Sequence, residues 1–183
     1  NAKAKFEKAW GVDLSGENGL THTEIFNEVE AGKIKAIYIA GENPVISEAN
    51  ANHVVESLKH VEFLVCQDIF MTETAEFADV ILPACTNLER TDISEWAALG
   101  GYAYHGQTQL NHRVCIFQHK VIEPMGESKS DYNIFTEITK RLGLSAYFTE
   151  GMSELDWAKR MFDASDLPTI TSWQKFRQKG YAV

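Results

Sequence analysis

The stretch IKAIYIAGENPVISEANANHVVESLKHVEFLVCQDIFMTETAEFADVILP, residues 34–83, decides the fold. Ile34 to Ala40 is a near-continuous apolar run, the pattern of a strand buried on both faces. It runs into Gly41-Glu42-Asn43-Pro44, a turn. Val54, Val55, Leu58 and Val61 then recur at helical spacing and predict a helix from Glu48 to His60. Phe63-Leu64-Val65-Cys66 reads as a second buried strand, ending at Gln67-Asp68. A short helix from Thr72 to Phe77 precedes a third strand, Val80-Ile81-Leu82, which Pro83 closes. Strand, helix, strand, helix, strand in close order implies right-handed crossovers and a mainly parallel α/β sheet. Ligands of such sheets bind beyond the carboxyl ends of the strands. Here those ends are the segments Gly41 to Ser47, Gln67 to Thr74 and Pro83 to Thr91.

Working outward, residues 20–32 read as a helix. Thr21 or Thr23 caps it, Ile25, Phe26 and Val29 form its apolar stripe, and Gly32 stops it. Upstream, residues 1–18 form an irregular lead-in. Downstream, the segment from Cys85 to Arg113 is irregular, with Gly100, Gly101 and Gly106 inside it. An irregular insertion of that length is expected to carry function or to pack on another surface. Residues 114–117 form a short strand. Ser130 caps a helix from Asp131 to Leu142, and two further helices run from Met152 to Phe162 and from Ser172 to Lys179. The expected division is residues 1–18, residues 19–145, and a helical C-terminal extension over residues 146–183.

The 183 residues are 44% hydrophobic and 23% charged, which is ordinary globular usage. With 17 basic and 26 acidic residues the net charge is −9, so no nucleic-acid partner is expected. A small anionic ligand held by backbone N–H groups and one or two local cations stays compatible. Cys66, Cys85 and Cys115 are widely spaced, which points to buried thiols rather than a disulfide scaffold or a cysteine metal site. No run reaches the ~20 apolar residues of a membrane span, so direct membrane insertion is not expected. The first residue is Asn1, consistent with the interior of a longer chain, and the compartment stays open.

His105, His112 and His119 recur every seven residues, but the glycines between them break any common helical face, and no metal site is assigned. A G-x-S-x-G elbow, G-x-G-x-x-G and a Walker loop do not occur. The strand-end set remains. Asp68 can accept hydrogen bonds from a purine N–H pair or a ribose, or can simply form a turn. Thr72 and Thr74 can donate hydroxyls to a phosphate or act as caps. Arg90 and Arg113 can neutralise a pyrophosphate or lie on the surface.

Two blocks bear a family resemblance: GKIKAIYIAGENP at residues 32–44 with FLVCQDIFMTETAEFADVILPA at residues 63–84, and VIEPMGESKSDY at residues 121–132. Across roughly residues 19–145 the chain resembles the molybdopterin oxidoreductases of the dimethyl sulfoxide reductase and formate dehydrogenase type. Members acting on aromatic hydroxyl compounds are the nearer relatives the resemblance suggests. It implies a Rossmann-like three-layer domain within a larger catalytic subunit that holds molybdenum or tungsten between two molybdopterin guanine dinucleotides. Residues 19–145 would bind the guanosine end of one of them. By position, Gly41, Glu42, Asn43, Gln67, Asp68, Arg90 and Asp131 match dinucleotide contacts. Arg90 stands where lysine is common, in Glu89-Arg90-Thr91-Asp92 rather than E-K-E-G, so the charge is kept and the glycine is lost. The resemblance further implies a [4Fe-4S] cluster in an N-terminal part not represented here. It also implies a small-molecule substrate, contacts with the remainder of the subunit, and an electron-transfer iron–sulfur partner. None of the three cysteines is assigned to the metal, and the isolated 183 residues are expected to lack redox activity. The alternative is a non-catalytic nucleotide-binding or interaction module with the same fold, or a plain structural α/β domain.

Overall fold

A computed structural model of the chain describes residues 2–95 and 114–182. Three parallel strands form: β1 (Ala36–Ala40), β2 (Phe63–Asp68) and β3 (Val80–Pro83). β2 is central, with Gln67 opposite Ala40 on one side and Leu82 on the other. Between β1 and β2 lie two helices, Pro44–Ser47 and Ala51–His60, rather than one. Pro44 suits a helical first turn, where no N–H is needed, and Asn50 starts the second helix by accepting the His53 N–H at 3.2 Å. Between β2 and β3 the expected helix is reduced to a 3-10 turn, Ala75–Phe77.

The helix His22–Glu30 and the helix Ala51–His60 cover one face of this sheet. Thr21 and Glu24 cap the first, with the Thr21 N–H donating to Glu24 Oε2 at 2.7 Å. Phe26, Val54 and Leu58 from these helices bury against Ile39, Leu64 and Cys66 of the strands. Ser57 is fully buried where the helices approach, and its hydroxyl donates to the Phe26 carbonyl across the contact at 3.2 Å.

Strand alternation sends Tyr38 to the opposite face from Ile37 and Ile39. There the helix Asp131–Arg141 forms a third layer, with Ile134 buried and Phe135 5.7 Å from the Tyr38 ring. The cover is partial. On this face Phe63 and Val80 are 46% and 38% exposed, and on the other Ile81, in register with Cys66, is 42% exposed. The expected burial on both faces is therefore not met: Leu64 and Cys66 are buried, both on the face of the first two helices. A cavity of about 610 Å³ separates Phe63, Val80 and Leu82 from Ile134 and Ile138.

A second sheet is antiparallel. It pairs β4 (Asp92–Glu95) with β5 (Cys115–Gln118), and β5 with β6 (Tyr181–Ala182). β4 lies in the stretch expected to be irregular, while Gly100, Gly101 and Gly106 fall outside the described residues. The helices Glu154–Ala164 and Trp173–Lys179 pack on β5 through Phe117, Phe162, Phe176 and Trp173. Rings of Phe117 and Trp173 meet edge-on at 5.4 Å, and those of Phe162 and Phe176 stack at 5.5 Å. Gly180, at φ +82°, ends the last helix in the left-handed region that glycine favours. Its carbonyl accepts the Phe117 N–H at 2.9 Å, which seats β6 beside β5.

Residues Ala2–Trp10, expected to be irregular, form a helix. None of its side chains is buried, so it lacks the apolar stripe by which a helix is read. Good helix formers and a Lys3–Glu7 pair at 3.6 Å support it instead.

Phe176 is fully buried at the centre of the second core. Phe176→Ala is expected to destabilise the chain by about 3–5 kcal/mol, measured by urea unfolding. A loss below about 1 kcal/mol would show that this core does not hold β5 and β6 in place.

Candidate functional site

Parallel pairing brings the carboxyl ends of β1, β2 and β3 to one edge of the sheet. Gly41 donates its N–H to the Gln67 carbonyl at 2.9 Å, one step beyond the end of β1. At φ +66° its backbone turns the chain away from the sheet in a conformation that disfavours a side chain. A cavity of about 430 Å³ opens at this edge, lined among others by Gly41, Gln67, Asp68, Phe70, Cys85 and Asp131.

Asp68 Oδ1 accepts the Phe70 N–H at 3.0 Å, a turn contact, and Oδ2 has no partner among the described residues. Gln67 is buried, its amide held at both ends. Nε2 donates to Asp131 Oδ1 at 2.6 Å, and Oε1 accepts the Tyr38 hydroxyl. Asp131 opens its helix directly after Ser130, whose Oγ accepts the Asn133 N–H at 3.3 Å. A carboxylate in a first helical turn is favoured by the unpaired N–H groups there. Arg90 Nη1 lies 2.8 Å from Asp92 Oδ2 and 3.9 Å from Asp131 Oδ2. Gly41, Gln67, Asp68 and Asp131 therefore share one cavity, with Arg90 beside it.

Glu42 and Asn43 are placed differently. Glu42 lines a separate cavity of about 330 Å³ with His22 and Glu48. The hydrogen bond that His22 Nδ1 donates to Glu48 at 2.9 Å, then the charge of Glu42, raise the pKa of His22. Asn43 ties the loops after β1 and β2 together. Its Oδ1 accepts from the Thr74 hydroxyl at 2.7 Å, and its Nδ2 donates to Glu73 at 2.7 Å. Thr74 is fully buried and its Oγ also accepts the Val45 N–H at 3.2 Å, so it is spent internally. Thr72 Oγ accepts the Ala75 N–H at 3.2 Å. The phosphate alternative is set aside for Thr74, whose proton goes to Asn43, while Thr72 caps the 3-10 turn through its oxygen.

Asp79 Oδ2 accepts the Leu64 N–H at 2.7 Å, closing the other end of β2. Burial pushes the thiols of Cys66 and Cys85 up, away from the thiolate a nucleophile needs. His119 donates to the Arg177 carbonyl at 2.7 Å, while His105, His112 and Arg113 lie outside the described residues. Sequence reasoning missed Tyr38 and Glu89. A polar-tipped ring within the apolar run of β1 signals the first, and the Thr86-x-x-Glu89 capping box the second. Glu89 accepts the Thr86 N–H at 2.7 Å, the Thr86 hydroxyl at 2.8 Å and the Met125 N–H at 2.7 Å.

Residues 5–141 match the family model for molybdopterin oxidoreductase. The chain is 42% identical over 153 residues to the pyrogallol hydroxytransferase large subunit of Pelobacter acidigallici, covering 82% of this chain and 18% of that one. It is 40% identical over 144 residues to the F420-dependent formate dehydrogenase subunit alpha of Methanocaldococcus jannaschii, covering 78% and 19%. Among solved structures, acetylene hydratase from Pelobacter acetylenicus superposes with a TM-score of 0.66 at 24% identity, over 99% of this chain and 23% of that one. The chain thus spans under a fifth of the length of these two curated relatives.

The donors around Glu89, Thr86 first and then Met125, hold its carboxyl below the usual carboxylate range. A depressed folded-state pKa stabilises fully above the unfolded-state value and is lost as pH falls through the folded one. The Met125 amide is therefore expected to lose hydrogen-exchange protection on acidification, after correction for intrinsic rates. Glu89→Gln is expected to weaken that protection already at neutral pH. Equal protection in both proteins at neutral pH would show that the carboxylate does not hold this loop.

Proposed function

The chain belongs to the molybdopterin oxidoreductase family, and from that premise we propose that its sheet-edge cavity holds the guanosine end of one molybdopterin guanine dinucleotide in a molybdenum or tungsten enzyme. The observation that carries this reading is the convergence of Asp68 and Asp131 on one cavity, with Arg90 beside it. Guanine presents an N1–H and an exocyclic amine side by side. A carboxylate accepts two donors, so the acceptor-rich edge fits that base, and ribose hydroxyls can serve the same oxygens. Arg90 supplies the cation that a pyrophosphate needs, and its present partner Asp92 orients it. Gly41 lets the backbone approach the ligand without a side chain in the way.

When bound, the cofactor's metal supplies the electron transfer to or from a small-molecule substrate. The residues of this chain bind and orient. In this reading residues 19–145 form the dinucleotide-binding segment, and residues 1–18 and 146–183 flank it. The remainder of the catalytic subunit, a [4Fe-4S] cluster and an electron-transfer iron–sulfur subunit complete the enzyme. Glu42 and Asn43 belong to the wall that shapes the first loop.

Asp68→Ala in the full-length enzyme tests the site. Each charge-assisted hydrogen bond contributes roughly 1.5–3 kcal/mol, so cofactor occupancy, read as bound metal and as GMP released by acid hydrolysis, is expected to fall at least about tenfold. Thermal stability is expected to stay close to wild type, because Asp68 lies at a loop edge. Asp79→Ala is expected to lose stability first, through its bond to the Leu64 N–H. Full occupancy in Asp68→Ala at unchanged stability would leave Asp68 a turn former and remove it from the site.

A further inference from the structure

Tyr38 lies in no strand-end loop, yet its hydroxyl is the far end of a hydrogen-bond chain that reaches the cavity. A carboxylate only accepts, so Asp131 Oδ1 must receive an N–H. The Gln67 amide, 2.6 Å away, therefore presents Nε2 to Asp131. That choice turns Oε1 the other way, where it accepts the Tyr38 hydroxyl. The chain has one direction: Tyr38 O–H to Gln67 Oε1, then Gln67 N–H to Asp131. Burial, then the charge of Asp131, push the Tyr38 pKa up and keep its proton in place. Contact with Phe135 at 5.7 Å holds the ring, and Gln67 is only 4% exposed, so little water competes for its amide.

Resting on the guanosine reading above, we infer that Tyr38 is a positioning residue that sets base preference: acting through Gln67, it holds Asp131 as an acceptor at the cavity edge. An edge built of acceptors takes guanine, whose N1–H and amine donate. It repels adenine, whose N1 is itself an acceptor at the corresponding place. Without the hydroxyl, the buried Gln67 oxygen loses its partner. The amide is then free to turn, and Asp131 loses its fixed N–H.

The test compares GMP and AMP dissociation constants, by calorimetric titration, for the full-length subunit prepared without cofactor and for its Tyr38→Phe variant. This substitution removes one oxygen and keeps the ring on Phe135. Wild type is expected to prefer GMP. Tyr38→Phe is expected to narrow that preference about fivefold, the worth of one neutral hydrogen bond, chiefly through weaker GMP binding. Gln67→Met, which removes both bonds at similar volume, is expected to narrow it at least as much, and it serves in place of Tyr38→Phe should that variant not fold. Asp79→Ala, which weakens the far end of β2, is expected to lower stability and keep the ratio. A wild type without preference overturns the guanosine reading and this inference with it. A wild-type preference that survives Tyr38→Phe and Gln67→Met overturns the role of Tyr38 alone. Equal narrowing in Asp79→Ala overturns it too, by making the effect one of stability.

Discussion

Strand β2 is hydrogen-bonded on both sides, and its register with β1 and β3 is the constraint on which the rest depends. Once Gln67 stands opposite both Ala40 and Leu82, the chain must leave all three strands at one edge. Gly41, Asp68 and the segment after Pro83 then meet although they are far apart in sequence. The Gly41 N–H to Gln67 carbonyl bond and the Ala84 N–H to Asp68 carbonyl bond at 3.0 Å carry the ladder to that edge. At the opposite end, Asp79 satisfies the Leu64 N–H that the strand leaves open. The sheet is thus fastened at one end by an internal carboxylate. At the other it is left with carboxylates that face a cavity.

Polar groups at that edge divide into those already satisfied and those with capacity left. Thr74, Asn43 and Glu89 are consumed in holding loops to one another. Asp68 keeps an oxygen, and Asp131 shares its own between Gln67 and the more distant Arg90. A buried amide such as Gln67 is costly unless both of its ends are bonded, and here both are. The same bonds that meet this burial requirement also aim Asp131. Packing and site geometry are therefore not separable at Gln67.

The second core is built differently. Its strands are short and its stability comes from aromatic rings of Phe117, Phe162, Trp173 and Phe176 closing around β5. Gly180 connects that core to its last strand. The first sheet, by contrast, carries an apolar face that the helix Asp131–Arg141 covers only in part. The chain thus combines one closed aromatic core with one open parallel sheet.

Apolar runs, turn residues and caps in residues 20–83 sufficed to read three parallel strands and the helix His22–Glu30, because local patterning and connection length dictate them. The sequence motifs likewise pointed to the family, and Asp68 and Gln67 were visible as the polar end of a buried strand. The helix Ala2–Trp10 was not legible, since nothing buries its side chains and no periodic stripe marks it. The helix Pro44–Ser47 was not legible either, because a single turn is too short to show a periodic stripe. Pairing β5 with both β4 and β6 needs contacts between residues far apart in sequence, which no local pattern encodes. Whether Thr74 faced a ligand or the interior, and whether Tyr38 was core or part of a polar chain, depended on which side chains meet across the sheet. Tertiary structure decided those roles, because a hydrogen-bonding group is defined by the partner that folding brings to it.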